Sequence, residues 1–295
     1  MAKPRVAILA DVRTWCWARK SQALQRHLSD EFDCPIAYLY DRQPDPIPSG
    51  CDLYNTYEVF QASRLPPGLP YVTGMTAHVW TTWERQHGAG TVRRWSASAR
   101  AFHANSRLLE AEMRELLGRP IHYCPNGVDE TLFRRTRERA QNRALVVGWV
   151  GKPNPRKGEL IVREACRLAG VELRTIGRTH LNALGPEAMR EFYQDLHVLA
   201  VASDMDGTPN PALEAAACGV AVVSNRIGNM PEFIDGANGL LVERNAESLA
   251  AALRELAADL PRAMRMGEAA RATVAADWTW AKMARNYAAM WRACL

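Results

Sequence analysis

Short apolar runs rich in β-branched residues alternate with amphipathic stretches along nearly the whole chain. Arg5–Ala10, Ile36–Tyr40, Ile121–Cys124, Ala144–Val150, Val171–Ile176, His197–Ser203 and Val220–Ser224 read as short buried strands. Between them, apolar positions recur at helical spacing. Leu24, Leu28 and Phe32 mark one helix face at i, i+4 and i+8. Ser106 caps a helix carrying Leu109, Met113 and Leu116, and Gly118 ends it. Further helices are predicted from Gly158 to Ala169, over Pro186–Gln194, over an alanine-rich Ala246–Ala275, and over Trp278–Arg292. This alternation predicts an α/β architecture with parallel sheets. Residues 42–50 form a Pro-rich loop. From Pro125 to Asn142 a turn sequence gives way to a charged run, which marks the linker between two domains.

Composition narrows the setting. A chain of 295 residues with 47% hydrophobic content suits two α/β domains, each with its own core. No stretch approaches the length of a membrane span, and the first residues read as a strand, not a signal peptide. The seven cysteines are scattered without a Cys-x-x-Cys pair, so a reduced, cytoplasmic setting is expected, with no zinc site and no disulfide framework. Lys and Arg outnumber Asp and Glu by 19 to 15 in the first 140 residues, and from Arg85 to Arg107 five arginines (85, 93, 94, 100, 107) occur without an acid. Singly they read as a solvated helical face; as a group they suit an anionic acceptor.

The densest chemistry lies in residues 206–219, Asp-Gly-Thr-Pro-Asn-Pro-Ala-Leu-Glu-Ala-Ala-Ala-Cys-Gly. A strand precedes it. Asn210 is a natural N-cap, Pro211 suits the first helical position, and Gly219 supplies a left-handed stop. A helix N-terminus is thus aimed into the loop after a parallel strand, where free N–H groups and the helix dipole favour an anion. Asp206 and Glu214 bracket that turn, which suits a nucleotide diphosphate bearing a sugar.

Four segments carry a resemblance: Pro125–Phe133 (P-N-G-V-D-E-T-L-F), Gly151–Gly158 (G-K-P-N-P-R-K-G), Asp206–Glu214, and Gly228–Val242 (G-N-M-P-E-F-I-D-G-A-N-G-L-L-V). In this order they resemble the retaining glycosyltransferases of the GT-B fold, in particular glycosyltransferase family 4, over about Asn105–Leu295. The resemblance implies two Rossmann-like βαβ domains facing each other across a cleft and closing over the donor. It divides the chain into an acceptor-binding domain, 1–132, a nucleotide-sugar domain, 133–275, and a closing helix, 276–295, that packs back on the first domain. It implies that Lys152 and Lys157 touch the donor diphosphate and that Glu214 holds the ribose. Thr208, Asn210 and the backbone amides of Ala212 and Leu213 would hold phosphate or sugar oxygens. Asp206 stands where the family has its first glutamate, one methylene longer, beside the donor sugar. Tyr71–Trp80 resembles the strand that ends in an active-site histidine, which makes His78 that residue. The glycine pair usual after the first strand is missing. No metal and no other cofactor is implied.

Three further readings stay open. Asp204-Met205-Asp206 also matches the Asp-x-Asp that holds a metal ion in GT-A transferases. The chain would otherwise be a non-catalytic sugar-nucleotide binder, or an epimerase on the same fold. The hexose donor is UDP- or GDP-linked. The hydroxyl acceptor is a saccharide, a small molecule, a protein, or a hydroxymethylated DNA base of phage type. The arginine stretch and the tryptophans at 15, 17, 80, 83 and 95 motivate the last of these; their bland counterpart is a tryptophan-rich core.

Overall fold

The computed structural model describes residues 2–138, 144–177 and 184–295; the end of the expected linker, 139–142, lies outside them. The chain divides into unit 1, Met1–Gly127 with Trp280–Leu295, and unit 2, Val128–Thr279. The boundaries expected from sequence lay after residues 132 and 275. Val128 forms a parallel bridge with Thr279, and its N–H donates to the Trp278 carbonyl at 2.9 Å, so the chain enters and leaves unit 2 side by side.

Unit 1 is built on a parallel sheet of β1 (Val6–Ala10), β2 (Ile36–Tyr38), β3 (Leu53–Thr56), β4 (Tyr71–Met75), β5 (Ala101–Ala104) and β6 (His122–Tyr123), in the order β2-β1-β3-β4-β5-β6. Its helices are α1 (Cys16–Leu28), α2 (Val59–Ala62), α3 (Trp80–His87), α4 (Thr91–Trp95), α5 (Arg107–Leu117) and the chain's last helix, α12 (Trp280–Arg292). The expected face of α1 is real: Leu24 and Leu28 are buried, and Phe32 joins them from the turn that follows the helix. That face packs against Ala284, Tyr287, Ala288 and Trp291 of α12. Ser106 does cap α5, accepting from the Leu109 N–H at 3.2 Å, and Gly118 closes it with φ of 63°.

Unit 2 holds β7 (Val146–Gly151), β8 (Glu172–Gly177), β9 (Val198–Val201), β10 (Ala221–Asn225) and β11 (Gly239–Val242), all parallel, in the order β11-β10-β9-β7-β8. Helices α6 (Glu159–Ala169), α7 (Pro186–Gln194), α8 (Asn210–Ala217), α9 (Met230–Phe233), α10 (Ala246–Ala258) and α11 (Leu260–Asp277) cover both faces. Alternate strand residues feed the two sides. Val146, Leu199 and Val222 meet α7, α8 and α11; Val147, Val198 and Val223 meet α6 and α10. This is the doubly wound α/β plan that the alternation predicts.

Two expectations need correction. The single helix over Ala246–Ala275 is two helices. Asp259 breaks it: its backbone leaves the helical region (φ −131°, ψ 74°), its carboxylate accepts from the Arg262 N–H at 2.9 Å, and Pro261 sits in the new first turn. The last helix starts at Trp280, because Trp278 closes α11. Among the described residues no helix is long and apolar enough to cross a membrane.

Candidate functional site

In unit 2 the strand order reverses between β7 and β9, and the carboxyl ends flanking such a reversal form the usual ligand crevice of an open α/β sheet. The loop after β7 contains a 3-10 turn, Pro155–Lys157, capped by Asn154, whose side-chain oxygen accepts from the Lys157 N–H at 3.2 Å. Gly158 follows with φ of 70°, and a Cβ there would lie 2.1 Å from the Ala202 carbonyl oxygen. Only glycine lets the turn settle against the end of β9. Seated this way, the Lys157 ammonium donates directly to the Asp206 carboxylate, both side chains about one-fifth exposed. Lys152 is exposed at the start of the same loop. Arg156 points at Asp204 at 3.0 Å.

The loop after β9 leads into α8, where the cap differs from expectation. Pro209 occupies the N-cap, Asn210 is the first helical residue and Pro211 the second. The reason is a turn one residue earlier: the Ala212 N–H donates to the Pro209 carbonyl at 2.8 Å, so that amide is already committed within the chain. Gly219 ends the helix with φ of 75°; its N–H donates to Ala216 and that of Val220 to Ala215. Ala212 and Leu213 turn their side chains into the core. Glu214 is 7% exposed, and the buried Tyr193 hydroxyl of α7 donates to its Oε2 at 2.7 Å. Thr208 accepts from the Asn229 amide at 3.0 Å. Gly228 (φ 54°) brings its loop so close that a Cβ would sit 2.2 Å from the Gly207 carbonyl oxygen.

Unit 1 offers a different site. His78 follows β4, and its Nδ1 lies 3.2 Å from Glu112 Oε2. A carboxylate only accepts, so Nδ1 carries the proton of this bond, and the buried Nε2 has no hydrogen-bond partner among the described residues. Trp80 Nε1 donates to the same Glu112 oxygen at 2.8 Å. Burial pushes the Glu112 carboxyl up, but the bonds from His78 and Trp80 outweigh it and leave its pKa below the ordinary value.

Deeper in unit 1, Glu58 is buried and accepts from the Thr76 N–H at 2.9 Å; burial raises its pKa to about 8. Lys20 is also buried, its ammonium 4.6 Å above the Tyr57 ring and 5.0 Å from that of Tyr287, and burial lowers its pKa to about 8.

The five arginines are spent on the protein itself. Arg85 reaches the Thr81 carbonyl at 3.3 Å, Arg93 that of Leu116, Arg94 that of Ala89 at 2.6 Å, and Arg100 that of Cys294 at 2.6 Å. Arg107 pairs with Glu110 at 2.6 Å and covers the Tyr123 ring. Trp83 and Trp95 pack against the apolar core of this unit and against Phe60.

Of the residues singled out from sequence, Lys157 and Asp206 touch, and Glu214 and Thr208 lie buried on the same loop and helix. His78 belongs to the other unit. Sequence reasoning missed Arg156, Tyr193, Asn229, Arg244, Glu112 and Glu58. Arg156 and Asn229 lie inside the Gly151–Gly158 and Gly228–Val242 segments with no role assigned there; Tyr193, Glu112, Glu58 and Arg244, just after β11, are brought in from elsewhere by the folded chain.

Two parallel-sheet, Rossmann-like units in one chain define the GT-B class of glycosyltransferase folds. Solved structures of that kind match the whole chain: sucrose-phosphate synthase from Thermosynechococcus elongatus, with a TM-score of 0.77 at 16% identity over 98% of each chain. Anabaena HepE in complex with UDP matches with a TM-score of 0.71 at 16% identity, over 98% of this chain and 99% of that one. Residues 128–259, most of unit 2, match the family model Glycosyl transferases group 1. Among curated relatives, the GDP-mannose-dependent alpha-(1-6)-phosphatidylinositol monomannoside mannosyltransferase of Mycobacterium tuberculosis is 28% identical, over 57% of this chain and 54% of that one. The D-inositol 3-phosphate glycosyltransferase of Corynebacterium diphtheriae is 36% identical, over 38% of this chain and 28% of that one. In both, the match spans about half of the relative's length or less. The resemblance read from the four motifs is borne out by these matches.

Proposed function

We propose that the chain is a retaining glycosyltransferase that moves a hexose from a UDP- or GDP-linked donor to a hydroxyl acceptor. The observation that carries this reading is the pairing of Lys157, on the turn after β7, with Asp206, on the loop from β9 into α8, inside the region that matches the group 1 glycosyltransferase model. Loss of a nucleoside diphosphate needs its growing negative charge stabilised. Lys157, Lys152 and the start of α8 offer two ammonium groups and a positive dipole end for it. On donor binding Lys157 would turn from Asp206 to the diphosphate, leaving the carboxylate to hold sugar hydroxyls. Glu214, fixed by Tyr193, is the proposed ribose ligand, with Thr208, Asn210 and Leu213 as its neighbours on the phosphate side; the Ala212 amide, expected there from sequence, is held by the Pro209 carbonyl instead.

A metal-dependent reaction through Asp204 and Asp206 is disfavoured by their partners: Arg156 and Arg244 take the first carboxylate, Lys157 the second. Chelation with EDTA is expected to leave turnover unchanged; abolition, restored by Mn²⁺ or Mg²⁺, would reinstate the metal. The two relatives' names favour as acceptor a hydroxyl on a phosphorylated inositol or on a saccharide joined to one. A DNA-base acceptor has less behind it, since the five arginines of unit 1 are engaged within the protein.

The test is a panel of UDP- and GDP-hexoses, each followed for nucleotide release and thermal stabilisation, with the product's anomeric configuration read by proton NMR. Release from at least one donor with retention is expected. Binding without release from any of them would reassign the chain as a sugar-nucleotide binder, and release with inversion would remove the retaining mechanism.

A further inference from the structure

Asp204 stands two residues before Asp206 and has no part in the proposed chemistry, yet it is the centre of a network. Arg156 Nε reaches its Oδ1 at 3.0 Å, and Arg244, just beyond β11, reaches its Oδ2 at 3.7 Å. The same two arginines also hold the backbone around it. The Arg156 carbonyl accepts from the Asp204 N–H at 3.0 Å and from the Ser203 hydroxyl at 3.3 Å. Arg244 Nε donates to the Ala202 carbonyl at 2.9 Å. Asn225 donates to the Ser203 carbonyl at 2.9 Å, and the Asn229 N–H to that of Gly207 at 2.9 Å. Residues 202–207 are thus tied to the loop after β7, to the loop after β11 and to the loop after β10. Asp206 has a single methylene between backbone and carboxylate. Where that carboxylate stands is therefore set by the backbone, and a displacement of about 1.5 Å, one C–C bond, is enough to part it from Lys157.

We infer that Asp204, clamped between Arg156 and Arg244, is a positioning residue that fixes the 203–207 loop and thereby where the short Asp206 carboxylate stands at the edge of β9. Its own carboxylate is about two-fifths exposed and its contact with Arg244 is long at 3.7 Å, and ion pairs so open to solvent add little to global stability. The latch therefore acts on local geometry, not on whether unit 2 folds. The consequence for turnover rests on the glycosyltransferase reading; the consequence for the loop does not.

The experiment uses the whole protein and three variants, Asp204→Ala, Arg244→Ala and Asp204→Ala combined with Asp206→Glu. Amide hydrogen exchange reads the loop without any donor. Asp204→Ala and Arg244→Ala should speed exchange at Met205 and Asn229 about tenfold while the melting temperature and the exchange of β9 stay as in the parent. Exchange at those amides within twofold of the parent, or a general loosening of unit 2, overturns the latch. Turnover of whichever UDP- or GDP-hexose the parent uses gives the second reading. Asp204→Ala should lower kcat about tenfold with KM little changed, and the longer carboxylate of Asp206→Glu should restore most of that loss. A kcat equal to the parent's, or a loss that Asp206→Glu leaves untouched, also overturns it. If the parent turns over no donor, the glycosyltransferase reading fails, and the exchange data still decide the latch.

Discussion

In unit 2 the loops after β7 and β9 present Arg156, Lys157 and Asp206 at partial exposure; in unit 1 the elements after β1 and β3 enclose Lys20 and Glu58 completely. Both sheets reverse their strand order at those points, β1 to β3 in one and β7 to β9 in the other. The topology offers a crevice twice and the side chains use it differently. Charge left near water can be traded from an internal partner to a ligand at small cost. Groups sealed in the core cannot, because burial disfavours their charged forms and no solvent or ligand reaches them: Lys20 is lowered to about 8 and Glu58 raised to about 8. The Lys157–Asp206 pair belongs to the proposed chemistry, and Lys20 and Glu58, each buried without an ion pair between them among the described residues, belong to the framework of unit 1.

The sharpest way to break that contrast is to exchange the roles. Lys157→Ala should lower donor turnover about 100-fold or more, the range seen when one group stabilising a developing anion is removed. The melting temperature should move little, since the ammonium is not sealed in the core. Lys20→Met should do the reverse, shifting the melting temperature while leaving donor release within about threefold of the parent. Equal losses of turnover from both would show that the two edges are not functionally distinct.

A smaller effect sharpens the picture inside unit 2. Glu214→Gln keeps the shape and a hydrogen bond to Tyr193 but removes the charge that fixes ribose hydroxyls. Charged hydrogen bonds contribute about 1.5–3 kcal/mol, so UDP or GDP affinity measured by calorimetry should fall about tenfold or more. Tyr193→Phe should act in the same direction and more weakly, because it frees the carboxylate to move without neutralising it. Unchanged affinity in both would detach Glu214 from the nucleotide.

What the sequence disclosed follows the same division. In unit 2 the strands β7 to β10 follow from short, mostly apolar runs to within a residue or two, while β11 lies inside the fourth motif and carries no separate strand signal. In unit 1, β3 and β5 were not recognised, because Asn55 and His103 interrupt them. Asn55 accepts from Trp291 Nε1 at 3.1 Å, a partner 236 residues away, and His103 Nε2 lies 2.9 Å from the Thr56 carbonyl oxygen on β3. A polar residue satisfied by so distant a partner looks in sequence like a loop. The cap of α8 was misplaced by one residue because Asn210 has the better capping side chain while Pro209 has the backbone already in place. The break at Asp259 was hidden by alanine-rich flanks that favour helix on both sides. Tyr193, Arg244 and Glu112 carry no local signal at all, since each acquires its role only when separate elements pack.

The sealed edge of unit 1 makes its own prediction. Burial first, and the nearby Lys20 charge second, push the His103 pKa down from 6.5 to about 3. Its sign is that of a depressed base. Above pH 6.5 both folded and unfolded forms are neutral and the stability is intact. Between 6.5 and about 3 the unfolded chain takes a proton that the folded one refuses. Stability of unit 1 is therefore lost as pH falls through that window, by about 1.4 kcal/mol for each pH unit. His103→Gln should flatten this slope in urea unfolding followed from pH 6.5 to 4, by about one proton. An unaltered slope would mean that His103 is reached by water in the folded state, and the contrast between the two edges would weaken.

The smallest expected effect concerns the arginines of unit 1. Arg85, Arg93, Arg94 and Arg100 each hold a backbone carbonyl at the rim of a helix or turn, in mostly exposed positions. Such contacts contribute about 1 kcal/mol or less apiece. Changing Arg93 and Arg94 together to Gln should therefore lower stability only slightly and leave donor release unaltered. On a duplex DNA column the parent and this variant should elute together at low salt. Phosphate binding would instead give the parent a retention that falls steeply with salt and a variant that elutes earlier, because each lost phosphate contact reduces the salt dependence by about one ion. That outcome would turn the rim of unit 1 from self-capping surface into a nucleic-acid contact, and a DNA-base acceptor would then displace the inositol-type hydroxyl as the favoured substrate.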